Sequence, residues 1–113
     1  MSVVKILMDG AAADTDVLRT LDRHGDDFSI PRDVDFKFRA DTKEKAEIVA
    51  GFLNDHNFAV AVVQLSNGEH SVNAALYMSV QQNLILSVSG FMGCVAQLFG
   101  VGYDGWGCAP QKR

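Results

Sequence analysis

Between Arg32 and Arg39 apolar and polar side chains alternate. Val34, Phe36 and Phe38 point one way, and Asp35, Lys37 and Arg39 the other. A period of two marks a strand buried on one face, and here the solvent face carries both charge signs. The next apolar positions, Ala46, Val49, Ala50 and Leu53, fall three and four apart. That spacing predicts a helix with Lys43, Glu44 and Glu47 outside. Asp41, three residues before Glu44, opens it as in a capping box, and Asn57 is its expected stop. Residues 58–65 are β-branched and aromatic enough for a strand, and Asn67-Gly68 is a strong hairpin signal. The return strand, residues 70–79, sets Val72, Ala74, Leu76 and Met78 against Ser71, Asn73, Ala75 and Tyr77. A charge-free helix then runs from about Gln81 to Phe99, broken at Gly100, and a short strand follows from Tyr103 to Cys108. Upstream, Asp14 or Thr15 caps a first helix carrying Val17, Leu18 and Leu21, which ends near Gly25. Pro31 closes the loop that leads into the first strand.

After the first helix the order is β-α-β-β-α-β. This predicts an α+β fold of ferredoxin-like type, an antiparallel sheet with two helices on one face and an extra N-terminal helix. The first and third strands are expected at the centre, with the last strand beside the first. The open face then gathers Asp35, Lys37, Arg39, Asn73 and Tyr77, joined by Asp104 or Trp106. The N-terminal helix is expected to cover part of that face or to pack at an edge.

At 113 residues the chain is one domain, 1–113, and 48% hydrophobic residues against 21% charged is globular composition. The net charge of -4 argues against a nucleic-acid binder, which needs a basic stripe to neutralise phosphates. RNA recognition by this architecture also needs aromatics on the third strand, where Tyr77 stands alone. Residues 84–101 are almost continuously apolar, but Ser87, Ser89 and Gln97 interrupt them and no basic flank anchors them, so a buried helix is expected rather than a membrane span. Ile6-Leu7-Met8 is too short for a targeting segment, and Asp9 ends it. Two cysteines, Cys94 and Cys108, suit a reducing compartment, and the expected location is cytoplasmic.

Candidate chemistry is sparse. His24, His56 and His70 never sit at a ligand spacing, and the cysteines form no C-x-x-C pair, so neither metal nor cofactor is expected. No phosphate-binding loop, nucleophile elbow or paired-carboxylate constellation nominates a catalytic residue. Tyr103-Asp104-Gly105-Trp106 can present an aromatic anchor to a partner, or cap the core with a tryptophan held by an Asp-Gly turn. The helix from Gln81 to Phe99 carries three apolar stripes. Leu84, Val88, Phe91, Val95 and Leu98 are expected against the sheet. Ile85, Met92 and Phe99, or Leu86, Gly90 and Gly93, remain for the first helix or for a two-fold homodimer interface.

Several of these residues resemble the regulator of ribonuclease E activity B family. They are Gly25-Asp26-Asp27, Pro31-Arg32, Asp41-Thr42 with Lys45-Ala46, and above all Phe99-Gly100-x-x-Tyr103-Asp104-Gly105-Trp106-Gly107. The resemblance spans about residues 14–108. It implies an α+β, ferredoxin-like fold and a protein that is not an enzyme. It also implies binding to the non-catalytic scaffold region of ribonuclease E, which alters the RNA-degrading complex. Residues 109–113 are not the long acidic tail of the family's best-known members, whose later helix also bears more charge. On this reading the protein-interaction candidates are Tyr103, Asp104, Gly105, Trp106, Lys37, Arg39 and Tyr77. The competing reading is a small-molecule-binding or enzymatic domain, with Arg39, Tyr77 and Asp104 lining a pocket and His70 as its base.

Overall fold

The computed structural model describes residues 2–112, so Met1 and Arg113, the ends of the expected domain, lie outside the described residues. The elements are α1 (Val3–Arg23), β1 (Arg32–Ala40), α2 (Lys43–Asp55), β2 (Val60–Ser66), β3 (Glu69–Met78), α3 (Gln82–Phe99) and β4 (Gly102–Gly107). Three helices and one four-stranded antiparallel sheet make an α+β fold with strand order β2-β3-β1-β4. β1 and β3 are central, and β4 flanks β1. Register puts Phe36 opposite both Ala74 and Trp106, on the face that α2 and α3 cover. Val34, Phe36, Phe38, Val49, Leu53, Val72, Ile85 and Met92 are fully buried there. The hairpin between β2 and β3 turns on Asn67 and Gly68, both with positive φ, as a two-residue primed turn requires.

Two expected helix starts are corrected by local chemistry. The first helix starts eleven residues or more before Asp14 or Thr15: Ser2 is its cap, accepting from the Lys5 amide at 3.4 Å. Ala11-Ala12-Ala13 favours helix, and Lys5 bridges Asp9 one turn on at 2.7 Å. Asp14 is free of any capping role because it sits mid-helix on the stripe of Leu18 and Leu21. At α2 the cap is Thr42, whose hydroxyl accepts from the Lys45 amide at 3.1 Å, while Asp41 pairs with the Lys45 ammonium at 3.4 Å. Asn57 does take the left-handed conformation after α2.

On α3 the sheet buries Ile85, Met92, Val95 and Ala96, whereas Leu84, Phe91 and Leu98 are exposed. A helix that is apolar all round has no polar face to fix its rotation, so the pattern could not rank its stripes. α3 is long and apolar enough, by length and composition, to cross a membrane. Its rotation here is set by Ser89, which is buried and bonded to α1. The N-terminal helix packs on α3 and β4 and leaves the other sheet face open.

Candidate functional site

β4 separates two surfaces. Tyr103 pairs with Phe38 and Trp106 with Phe36, so two residues of β4, Asp104 and Gly105, stand opposite Lys37 alone. This bulge takes Gly105 at φ +90°, a backbone region that glycine enters without strain. Residues three apart on a regular strand face opposite ways. The extra residue instead turns Tyr103 and Trp106 to the same inner side. Of the two readings of this segment, an aromatic anchor or a core-capping tryptophan, the burial favours the second for Trp106, which is 7% exposed and belongs to the core, while Tyr103 is half-buried. Of the expected candidates, Asp104, Lys37, Arg39 and Tyr77 do lie on the open face.

Inside, four side chains meet. Asp14 Oδ1 accepts from Ser89 Oγ at 2.9 Å and from Trp106 Nε1 at 3.0 Å. Tyr103 Oη lies 2.8 Å from Ser89 Oγ. Ser89 has one proton and gives it to Asp14, so the Tyr103 hydroxyl donates to Ser89. Burial raises the Tyr103 phenol above its ordinary range and keeps it a donor. Burial also raises the Asp14 carboxyl, outweighing the hydrogen bonds from Ser89 and Trp106. The folded state thus holds this proton more tightly than the unfolded state. Its contribution to stability is fully present below the ordinary aspartate range and declines as pH rises through the raised value. Asp14→Asn should remove that part of the pH dependence, measured as denaturation midpoints from pH 4 upward. An unchanged profile would refute the assignment.

Beside this cluster, α1, α3 and β4 enclose a cavity of about 450 Å³, into whose wall Asp14, Ser89 and Tyr103 are set. Sequence reading missed Asp14 and Ser89 as a pair. The available signal was that Asp14 stands four and seven residues before Leu18 and Leu21, on the buried stripe.

Outside, Arg39 grips Asp104, with Nη2 donating to Oδ1 at 2.9 Å and Nε to both carboxylate oxygens at 3.2 Å, which raises the Arg39 guanidinium above its ordinary range. Both side chains remain about half exposed. Arg39→Ala should therefore leave the melting temperature unchanged within error, since water and salt screen such pairs. Asp35 accepts from Asn73 at 3.0 Å. Tyr77 is opposite Asp33, whereas Arg39 is opposite Ser71, six positions along β3. His70 shares the parity of Val72 and so lies on the covered side, with Nδ1 buried and without a partner among the described residues. Arg39, Tyr77, Asp104 and His70 therefore do not converge, which corrects the enzymatic pocket drawn from sequence. Among the described residues no three His, Cys, Asp or Glu side chains cluster as a metal site.

A family model described as Regulator of ribonuclease activity B matches residues 11–108. No curated protein matches the sequence.

Proposed function

The chain belongs to the Regulator of ribonuclease activity B family, and from that premise we propose that it is a non-enzymatic regulator acting by protein contact. Its target on this reading is ribonuclease E, bound through the scaffold region and inhibited, so that RNA degradation in the cytoplasm slows. The strand order, with crossovers through α2 and α3, supports a ferredoxin-like arrangement in which one sheet face is left for a partner. The observation that carries the reading is the composition of that face. Tyr77 is 68% exposed and shares the open face with exposed Val60, opposite Ala75, and exposed Val62, opposite Asn73, next to a charged half formed by Lys37, Arg39 and Asp104. An aromatic and apolar patch with a charged margin is the usual anatomy of a protein interface. The net charge of -4 suits a basic partner segment. Purified ribonuclease E should cleave RNA more slowly with equimolar protein, and Tyr77→Ala with Val62→Asp should abolish the effect. No complex at low salt and no change in cleavage rate would overturn the reading.

A second copy of the chain suits a different surface. α1 occupies the side of α3 that carries Leu86, Gly90 and Gly93, so the stripe left uncovered is Leu84, Phe91 and Leu98. A two-fold homodimer through that stripe buries it. Sedimentation at micromolar concentration should show a dimer, and a monomer unchanged on dilution excludes it.

A further inference from the structure

Gly10 on α1 and Gly90 on α3 both line the cavity between these helices, and a Cβ added to either meets no atom within 4 Å. Neither has a positive φ. Glycine inside a helix is a destabilising choice, and here neither backbone conformation nor close packing demands it. What the two glycines preserve is space. The cavity, about 450 Å³, falls in the range of small-molecule sites, and Ile6, Leu7, Leu86 and Val101 give it apolar walls.

One buried charge is set into those walls. Asp14 is 5% exposed; its Oδ1 accepts from Ser89 and Trp106, and its Oδ2, which accepts from no donor among the described residues, is open to the solvent of the cavity. Asp9, which also lines the cavity, is exposed and already paired with Lys5 at 2.7 Å, so Asp14 is the carboxylate left to the cavity, and no basic side chain lines it among the described residues. A cation that reaches this oxygen replaces water between largely apolar walls, where a charge-assisted hydrogen bond is stronger than in open solvent.

We infer that this cavity binds an organic cation: a primary ammonium or guanidinium on an apolar stem. Asp14 Oδ2 holds the charged end, and Ile6, Leu86 and Val101 hold the stem. The Asp14 carboxylate, disfavoured by burial, is stabilised when the cation arrives. The shared chemistry has two sources, a free alkylamine or the side chain of a lysine or arginine in a protein. The inference stands whether or not ribonuclease E is the partner.

Heteronuclear NMR titration of the whole chain tests it, with butylammonium, Nα-acetyl-lysine amide and neutral 1-butanol as probes. Butylammonium should shift the amides of α1 and α3 saturably, and butanol should bind roughly tenfold more weakly or worse, the loss expected from a missing charge-assisted hydrogen bond. Asp14→Asn should weaken butylammonium by a similar factor. Gly90→Leu should fill the cavity and abolish binding, and Gly10→Ala should raise the melting temperature, so a result does not depend on Asp14→Asn folding. Equal or tighter binding of the lysine amide assigns the site to a protein side chain; binding of butylammonium alone assigns it to a free amine. The inference fails if neither ammonium shifts these residues, if butanol binds equally well, or if Gly90→Leu still binds.

Discussion

Replacing Arg32 with alanine should lower the stability of the fold by about 3–5 kcal/mol, the usual cost of leaving one member of a buried ion pair alone. Arg32 and Asp26 are 3% and 0% exposed at their side chains. Their contact is two-pronged, with Nη2 to Oδ1 at 2.8 Å. The same guanidinium donates to the carbonyls of Ile30 at 3.1 Å, Asp27 at 2.9 Å and Ala109 at 3.4 Å. Asp26 in turn accepts from the Gln111 amide, so one cation joins the loop before β1 to the segment after β4. Domains of this size hold about 5–15 kcal/mol in all, so such a loss is a large share of the total. The measurement is urea denaturation: the midpoint should fall while the slope stays constant. Asp26→Ala should cost about as much, and the double variant clearly less than the sum, because no orphan charge remains. A fall below about 1 kcal/mol for Arg32→Ala would mean that water reaches the pair, against its burial.

That pair shows where sequence pattern stops being informative. Arg32 has the parity of Val34 and Phe36, so alternation placed it on the buried side of β1, but its charge reads as a strand end at the surface. Its partner Asp26 lies across an irregular loop, where no period relates the two. By contrast the strands and α2 were legible to within two residues at their ends, because a covered sheet face enforces a period of two and an amphipathic helix one of 3.6. The Asn67-Gly68 turn was legible for the same reason: few residues tolerate its backbone.

The site divides in the same way. Lys37, Arg39 and Tyr77 were placed on the open face by alternation alone, and Asp104 only as an alternative to Trp106. The inner cluster was not, because each member broke a local rule. Asp14 looked like a cap, Ser89 like a polar interruption of an apolar run, and Trp106 like either an outward anchor or a core cap. Each makes sense only with the others present: the carboxylate is tolerable inside because Ser89 and Trp106 donate to it. Their sequence separations are 75 and 92 residues, beyond any local pattern.

Trp106 separates core from interface by experiment. Trp106→Ala should cost about 3–5 kcal/mol, since it empties a large buried volume and removes a donor from Asp14. Trp106→Phe keeps most of the packing and removes only Nε1, so about 1–3 kcal/mol is expected for the acceptor left short. Both losses should appear as shifts in denaturation midpoint. Neither should change partner affinity once the fraction folded is taken into account, because the indole faces α1 and α3 and not the open sheet. Tyr77→Ala should do the reverse: its ring is largely in water, so stability barely changes while affinity falls. If Trp106→Phe weakened binding by a folded chain as much as Tyr77→Ala, the indole would have to reach the partner. The bulge at Gly105 would then have to open in the complex, since only a β4 without it turns Tyr103 and Trp106 to opposite faces.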